Sequence, residues 1–343
     1  MTITKRLFGV LLTLIFLATA CGNDDETTAD GGTSDSITVY SGRSEDLVQP
    51  LLDAFTAETG VEVEARYGDS AELALLIQTE GSSSPADVVI SQSPGALGLL
   101  AGEGRLAPLG DDLTSMVGAG FRASDGTWVG ITGRIRVVVY NADLVDAADL
   151  PDSVLDLTDP AYAGRVAVAP GNGSFQDFVT AMRNELGDDD TLAWLEDMAA
   201  NDSPNYPKNS AIVEAVGRGE VEMGLVNHYY NLRALEADPS VASVNHFLPA
   251  DDLGALVIVT GGAVLSSSDA PATGQQLLEW MLSESTQVTF AAETQEYPLR
   301  DGVASPDGVP ALDGFAVDTI DYDLLGDGLT GTIELIRSSG IEQ

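Results

Sequence analysis

Residues 37–91 read ITVYSGRSEDLVQPLLDAFTAETGVEVEARYGDSAELALLIQTEGSSSPADVVIS. ITVYSG (37–42) has strand character, and the residues after it carry the marks of a helix start. Ser44 stands at a capping position, Glu45 and Asp46 fill the first turn, and Leu47, Leu51, Leu52 and Phe55 repeat at the spacing of one helical face. Gly60 ends that helix. VEVEARY (61–67) predicts a second strand, GDSAELALLIQTE (68–80) a second helix opened by Asp69 or Ser70, and ADVVIS (86–91) a third strand. Alternating strand and helix implies an α/β protein, a parallel sheet with helices on its faces. In such sheets ligands gather beyond the carboxyl ends of the strands, which singles out the loops at 41–45, 68–70 and 91–94.

Downstream, WVGITGRIRVVVYN (128–141) is longer than an ordinary strand and could run from one lobe into another. After Pro151 a short helix precedes the strand RVAVAP (165–170) and then GNGSFQDFVTAMRNEL (171–186). Strand, glycine-containing turn, Ser174 and helix in that order put unpaired backbone N–H groups at a helix start. That is either an anion site or an ordinary capped turn. Helices are expected at 191–200 and 210–218, then a strand in EVEMGLVNHYYN (220–231) that ends at a tyrosine pair. GALVIVTGGAVL (254–265) reads as a strand and 271–283 and 284–293 as helices, while the last stretch, with Pro298, Pro306 and Pro310, is less regular.

The chain opens MTITKRLFGVLLTLIFLATAC, with Lys5 and Arg6 before an apolar run from Leu7 to Leu17 and small residues before Cys21. This is the layout of an export signal, too short to span a bilayer comfortably. It resembles a bacterial lipoprotein signal, with residues 1–20 removed and Cys21 lipidated, although Leu17 lies one place further from the cysteine than is usual. Residues 21–36 lack large apolar side chains beyond the cysteine and predict a disordered tether. Cys21 is the only cysteine, so the folded part has no internal disulfide and no thiolate metal cluster. The formal charge is −39, and losing Lys5 and Arg6 with the signal leaves −41. Nucleic acid and anionic headgroups are poor partners for such a surface.

Tyr229 and Tyr230 are the residues with the most distinctive chemistry. Phenolate is a hard oxygen donor that suits Fe3+ better than softer cations, and ionises near neutrality only beside a strong cation. On spacing alone the metal signal is weak, since a tyrosine pair is usually core or interface packing, and His228 beside it reads as an ordinary surface or satisfied histidine. Catalytic patterns are thin: His228 and His246 are the only histidines, no GxSxG elbow accompanies them, and no HExxH, GxxxxGKS or EF-hand spacing occurs.

Taken in order, ITVYSGRSEDLVQPLLDAF, SPADVVISQSPGAL, WVGITGRIRVVVYN and NSAIVEAVGRGEVEMGLVNHYY resemble the ferric-iron-binding lipoproteins of bacterial ABC importers, over residues 37–300. The resemblance implies a hinged, two-lobed periplasmic-binding-protein fold of class II, each lobe a mixed, mostly parallel sheet flanked by helices. Its lobes would be 37–135 with about 260–305, and about 136–260 with the C-terminal segment. It implies a non-enzymatic monomer, lipid-anchored outside the cytoplasm or periplasmic, that binds Fe3+ and passes it to a permease. Tyr229 and Tyr230 would supply phenolates. Asn172, Gly173 and Ser174, with Asn209, Asn227 and Arg134 or Arg136, would hold a synergistic carbonate or phosphate.

The chain departs from the family where members carry a histidine and a glutamate in the first lobe, since Ser44 and then Gln92, followed by Ser93, stand there. Phe175 replaces a third tyrosine of some members, and Glu45 or Asp69 are the nearest first-lobe acids. The alternative is the same fold binding an organic anion, a polyamine or another small solute.

Overall fold

The computed structural model describes residues 34–312, 315 and 322–342; the signal at 1–20, Cys21 and most of the 21–36 segment lie outside them. The strands are β1 (Ser36–Ser41), β2 (Glu62–Tyr67), β3 (Val88–Ser91), β4 (Val129–Asn141), β5 (Val166–Ala167), β6 (Met223–Asn227), β7 (Ser243–His246), β8 (Val257–Val264) and β9 (Tyr297–Pro298). The α-helices are α1 (Glu45–Thr59), α2 (Ser70–Glu80), α3 (Pro94–Gly102), α4 (Asp111–Thr114), α5 (Gly173–Leu186), α6 (Asp188–Ala200), α7 (Asn209–Gly217), α8 (His228–Ala237), α9 (Pro271–Met281), α10 (Glu284–Thr294) and α11 (Tyr322–Ser339).

The opening stretch folds as its pattern predicts. Leu47, Val48, Leu51, Leu52 and Phe55 of α1 are buried, and Gly60 closes the helix in the left-handed region at φ 80° with its N–H on Thr56 O. Asp69 caps α2 by accepting the Ala71 N–H at 2.9 Å. Gly42 lets the loop after β1 lie against α2, since a Cβ there would fall 2.0 Å from Ser70 Oγ. β1 pairs in parallel with β2 and β3, so the loops after all three open at one end of the sheet.

The strands run β2-β1-β3-β8-β4-β6-β5, with β7 and β9 also on β4. The long strand β4 is the joint. Its first part, Val129 to Ile135, pairs with β8, and from Arg136 onward it pairs with β6 and then β7. Among the described residues three clusters of core form, a small one of them packing α7 on β4 and β6 around Val139, Ile212 and Val226, and the two larger ones fall on either side of that change of partner. One gathers β1, β3, β8 and α1 to α3 around Val39, Phe55, Leu97 and Trp128. The other gathers β5, β6, α5 and α6 around Phe175, Phe178, Trp194 and Leu225.

Three local expectations differ from what forms. β6 ends at Asn227, not at the tyrosines: Asn227 is still extended (φ −92°, ψ 144°), and Tyr229 and Tyr230 lie in the first turn of α8. After Pro151 the chain makes 3-10 turns at Val154–Thr158 and Pro160–Tyr162, where Ser153 and Asp159 cap each turn and Pro160 limits extension. The C-terminal stretch contains α11, which packs on α3, α5 and α6, beyond the prolines that made the region look irregular.

Candidate functional site

Four helix starts point toward the joint. Asn172 caps α5 by accepting the Ser174 N–H at 3.0 Å, and Asn227, which precedes α8, donates Nδ2–H to Ser174 Oγ at 2.9 Å. Asn209, the first residue of α7, lies 3.5 Å from Asn172 Oδ1. Ser93 precedes α3 and packs on the α5 start, where a Cβ on Gly173 would sit 3.5 Å from Ser93 Cβ. The positive ends of these helices therefore converge, a favourable setting for negative charge.

Tyr229 and Tyr230 project from the α8 start and stack with ring centroids 4.1 Å apart at 30°. A helix turns neighbours by about 100°, not the 180° of a strand, so both rings can face one side. Tyr229 is fully buried and its hydroxyl has no hydrogen-bond partner, whereas Tyr230 is half-buried. Burial, then the neighbouring Tyr230, pushes the Tyr229 phenol well above its ordinary value, and Arg43 and Arg134 pull against that. Only a strong added cation would bring such a phenol to phenolate near neutrality.

Three buried arginines surround the pair. The Arg43 guanidinium lies 5.7 Å from the Tyr229 ring centroid and forms an ion pair with buried Glu296, which also accepts from Thr132 Oγ1. Burial works against the Arg43 charge, but Glu296 and the two phenols hold its pKa above the usual guanidinium value. Arg134 donates to Thr260 Oγ1 at 2.8 Å and to the Gln92 carbonyl, and burial, then Arg43, lowers it. The Arg136 guanidinium lies over the Phe175 and Phe178 rings, its Nε, Nη1 and Nη2 have no hydrogen-bond partner among the described residues, and burial brings it down to about 9.

On α5, one turn past Ser174, the buried Asp177 carboxyl is lifted to about 7 by burial, against the Ser93 hydroxyl, Arg134, the Gly95 N–H and Arg136. Both Asp177 and its arginine neighbours are thus driven toward neutrality, so desolvation outweighs their attraction. With all ionised, three arginines and two carboxylates leave one net positive charge around the phenols.

The first-lobe candidates are placed differently. Ser44 is exposed but lines a cavity of about 370 Å³ with Asp46, Lys208, Ser210, Tyr230 and Arg233. Glu45 is exposed, and Asp69 is exposed and engaged as a helix cap. Gln92 is half-buried with its carbonyl on Arg134, and Ser93 is buried. Phe175 is buried edge-to-face against Phe178 at 5.9 Å.

Sequence reasoning missed Arg43, Glu296 and Asp177. Asp177 had a signal, its i+3 spacing from Ser174 on α5, whereas nothing local marks Glu296 as the partner of a residue 253 positions away.

His228 is a satisfied core histidine: Nδ1 accepts the Ile135 N–H at 3.2 Å and Nε2 donates to the Gln295 carbonyl at 3.0 Å. Burial brings its pKa down to about 4. The folded state therefore binds fewer protons than the unfolded one between about pH 4 and 6.5, and stability falls as pH drops through that window. Asp177, lifted to about 7, acts in the opposite direction over the same range, so the His228 contribution is read as a difference. In urea titrations of the iron-free forms, the stability of the native protein relative to His228→Gln should fall by up to about 3 kcal/mol across that window, and a constant difference would remove His228 from the pH dependence.

The model of the bacterial extracellular solute-binding proteins matches residues 41–288. An Fe(3+)-binding periplasmic protein of Serratia marcescens is 34% identical over 309 residues, covering 89% of this chain and 90% of that protein. The crystal structure of iron-bound HitA from Pseudomonas aeruginosa superposes with a TM-score of 0.84 at 34% identity, over 89% of this chain and 99% of that one. A Trichodesmium protein in complex with iron and citrate gives a TM-score of 0.75 at 26% identity, over 89% and 99%. The chain belongs to the bacterial extracellular solute-binding proteins, has their two-lobed α/β fold, and within that family its relatives are ferric-binding proteins.

Proposed function

We propose that the protein captures ferric iron between its two lobes outside the cytoplasm and delivers it to the permease of an ABC importer. The observation that carries this reading is the buried, unpartnered Tyr229 hydroxyl stacked on Tyr230 where helix starts and arginines converge. A packing tyrosine would have found a partner for its hydroxyl. A hard trivalent cation supplies one and favours the phenolate. The partner change of β4 at Arg136 supports a lobe boundary there, with 37–135 and about 260–305 in one lobe and about 136–260 with the C-terminal segment in the other. The leader supports lipidation of Cys21 and attachment to the outer face of the membrane.

Charge supports a second ligand. Fe3+ on two phenolates carries one positive charge into surroundings that already carry one, in a site that water does not screen. An anion that binds with the metal, carbonate, phosphate or a carboxylate chelator such as citrate, relieves this. Asn172, Gly173, Ser174, Asn209, Asn227, Arg134 and Arg136 are the groups offered to it.

Adding Fe3+ with citrate or bicarbonate to the purified protein should produce a visible tyrosinate-to-iron charge-transfer band, and a colourless mixture would sink the iron assignment. Iron affinity should also differ by tenfold or more between bicarbonate or phosphate and an inert buffer, about 1.4 kcal/mol. Equal affinity in all three would remove the anion from the site.

A further inference from the structure

The start of α3 is tied to another part of the molecule. Ser93 holds the N-cap position with extended backbone (φ −127°, ψ 128°), yet its hydroxyl makes no bond to the first turn of its own helix. It donates instead to Asp177 Oδ1 at 2.5 Å, on α5, 84 positions away. Through the Ser93 hydroxyl, Asp177 therefore ties the start of α3 to the first turns of α5. It reaches there from the other core, across the joint at β4.

We propose that Asp177 is a latch residue whose bond to Ser93 at the start of α3 holds the two lobes together and sets how long cargo stays bound. The cargo part of this rests on the ferric reading, whereas the latch itself does not. The first lobe carries Ser44 and Gln92 where the family pattern would have a histidine and a glutamate, so the metal alone gives closure little differential affinity. The ion pair between Arg233 and Asp46 at 3.3 Å also bridges α8 and α1, but it is solvent-exposed and contributes little. Ser93 and Asp177 are both buried, so water does not compete for the hydrogen bond between them. A carboxylate serving the fold of one lobe alone would be paired within it. Asp177 instead takes its one hydrogen-bond donor, the Ser93 hydroxyl, from the start of α3 and leaves Oδ2 without a partner among the described residues, with Arg134 and Arg136 of β4 as its charged neighbours.

The test uses Asp177→Asn and Ser93→Ala, each loaded with ferric citrate and challenged with excess EDTA in stopped flow. Small-angle scattering of the iron-free forms runs alongside. Asp177→Asn should release iron about tenfold faster or more, with the charge-transfer band at an unchanged wavelength because the phenolates are untouched. Its iron-free form should have a larger radius of gyration. Ser93→Ala should move both readouts the same way by less, which keeps the test intact if Asp177→Asn folds poorly. Unchanged release and unchanged scattering in folded variants would overturn the latch. If the native protein takes up no iron, the ferric reading fails while scattering still decides whether Asp177 holds the lobes.

Discussion

Tyr229→Phe is expected to lower Fe3+ affinity by at least about 100-fold and to raise the stability of the iron-free protein. Loss of a group that only supports a metal ligand costs about 10- to 100-fold, and loss of the ligand itself costs more. The opposite sign for stability follows from the hydroxyl's surroundings. It is fully buried and has no partner, so the iron-free fold carries its desolvation cost without return. Replacing it with hydrogen removes about 1–3 kcal/mol of that cost while keeping the ring stacked on Tyr230. Titration with ferric citrate, paired with urea unfolding of the iron-free forms, reads both quantities. If Tyr229 were only a packing residue, the variant would gain stability and keep full colour. Tyr230→Phe should lose affinity with a smaller change in stability, because Tyr230 is half-buried and reaches the cavity beside Ser44.

This pairing of signs shows why the site was only partly legible in the sequence. The alternation from Ile37 to Ser91 determines the parallel strands β1, β2 and β3, because burial on one helical face and caps at Asp69 and Gly60 are local matters. The length of WVGITGRIRVVVYN likewise announced a strand serving two sets of partners. The tyrosines were visible as residues but not as geometry. Asn227 both ends β6 and opens α8, and its side chain is held by Ser174, 53 positions away. Glu296 is more distant still: its meaning comes from Arg43 and Thr132, which a sheet built from both ends of the chain brings beside it. Periodicity carries information about neighbours in sequence, and a buried ion pair is a fact about neighbours in space.

Glu296→Ala should destabilise the protein by about 3–5 kcal/mol, because it leaves the Arg43 guanidinium buried and uncompensated, with Nε and Nη1 already lacking partners. Glu296→Gln keeps an acceptor for Arg43 and Thr132 and should cost less. The double change Arg43→Met with Glu296→Leu removes the pair together and should restore most of the stability, since two apolar side chains of similar size carry no desolvation cost. Function should not follow stability back. Arg43, 5.7 Å from the Tyr229 ring centroid, draws the phenol toward ionisation, and the double variant lacks it. Its charge-transfer band should therefore appear at higher pH than in the native protein although the fold is sound. Urea midpoints and a pH titration of the band separate the two effects. A Glu296→Ala variant losing less than about 1 kcal/mol would mean that Arg43 finds water or another acceptor on its own. A double variant whose colour titrates like the native protein would mean that the pair serves the fold and leaves the phenolate to the metal alone.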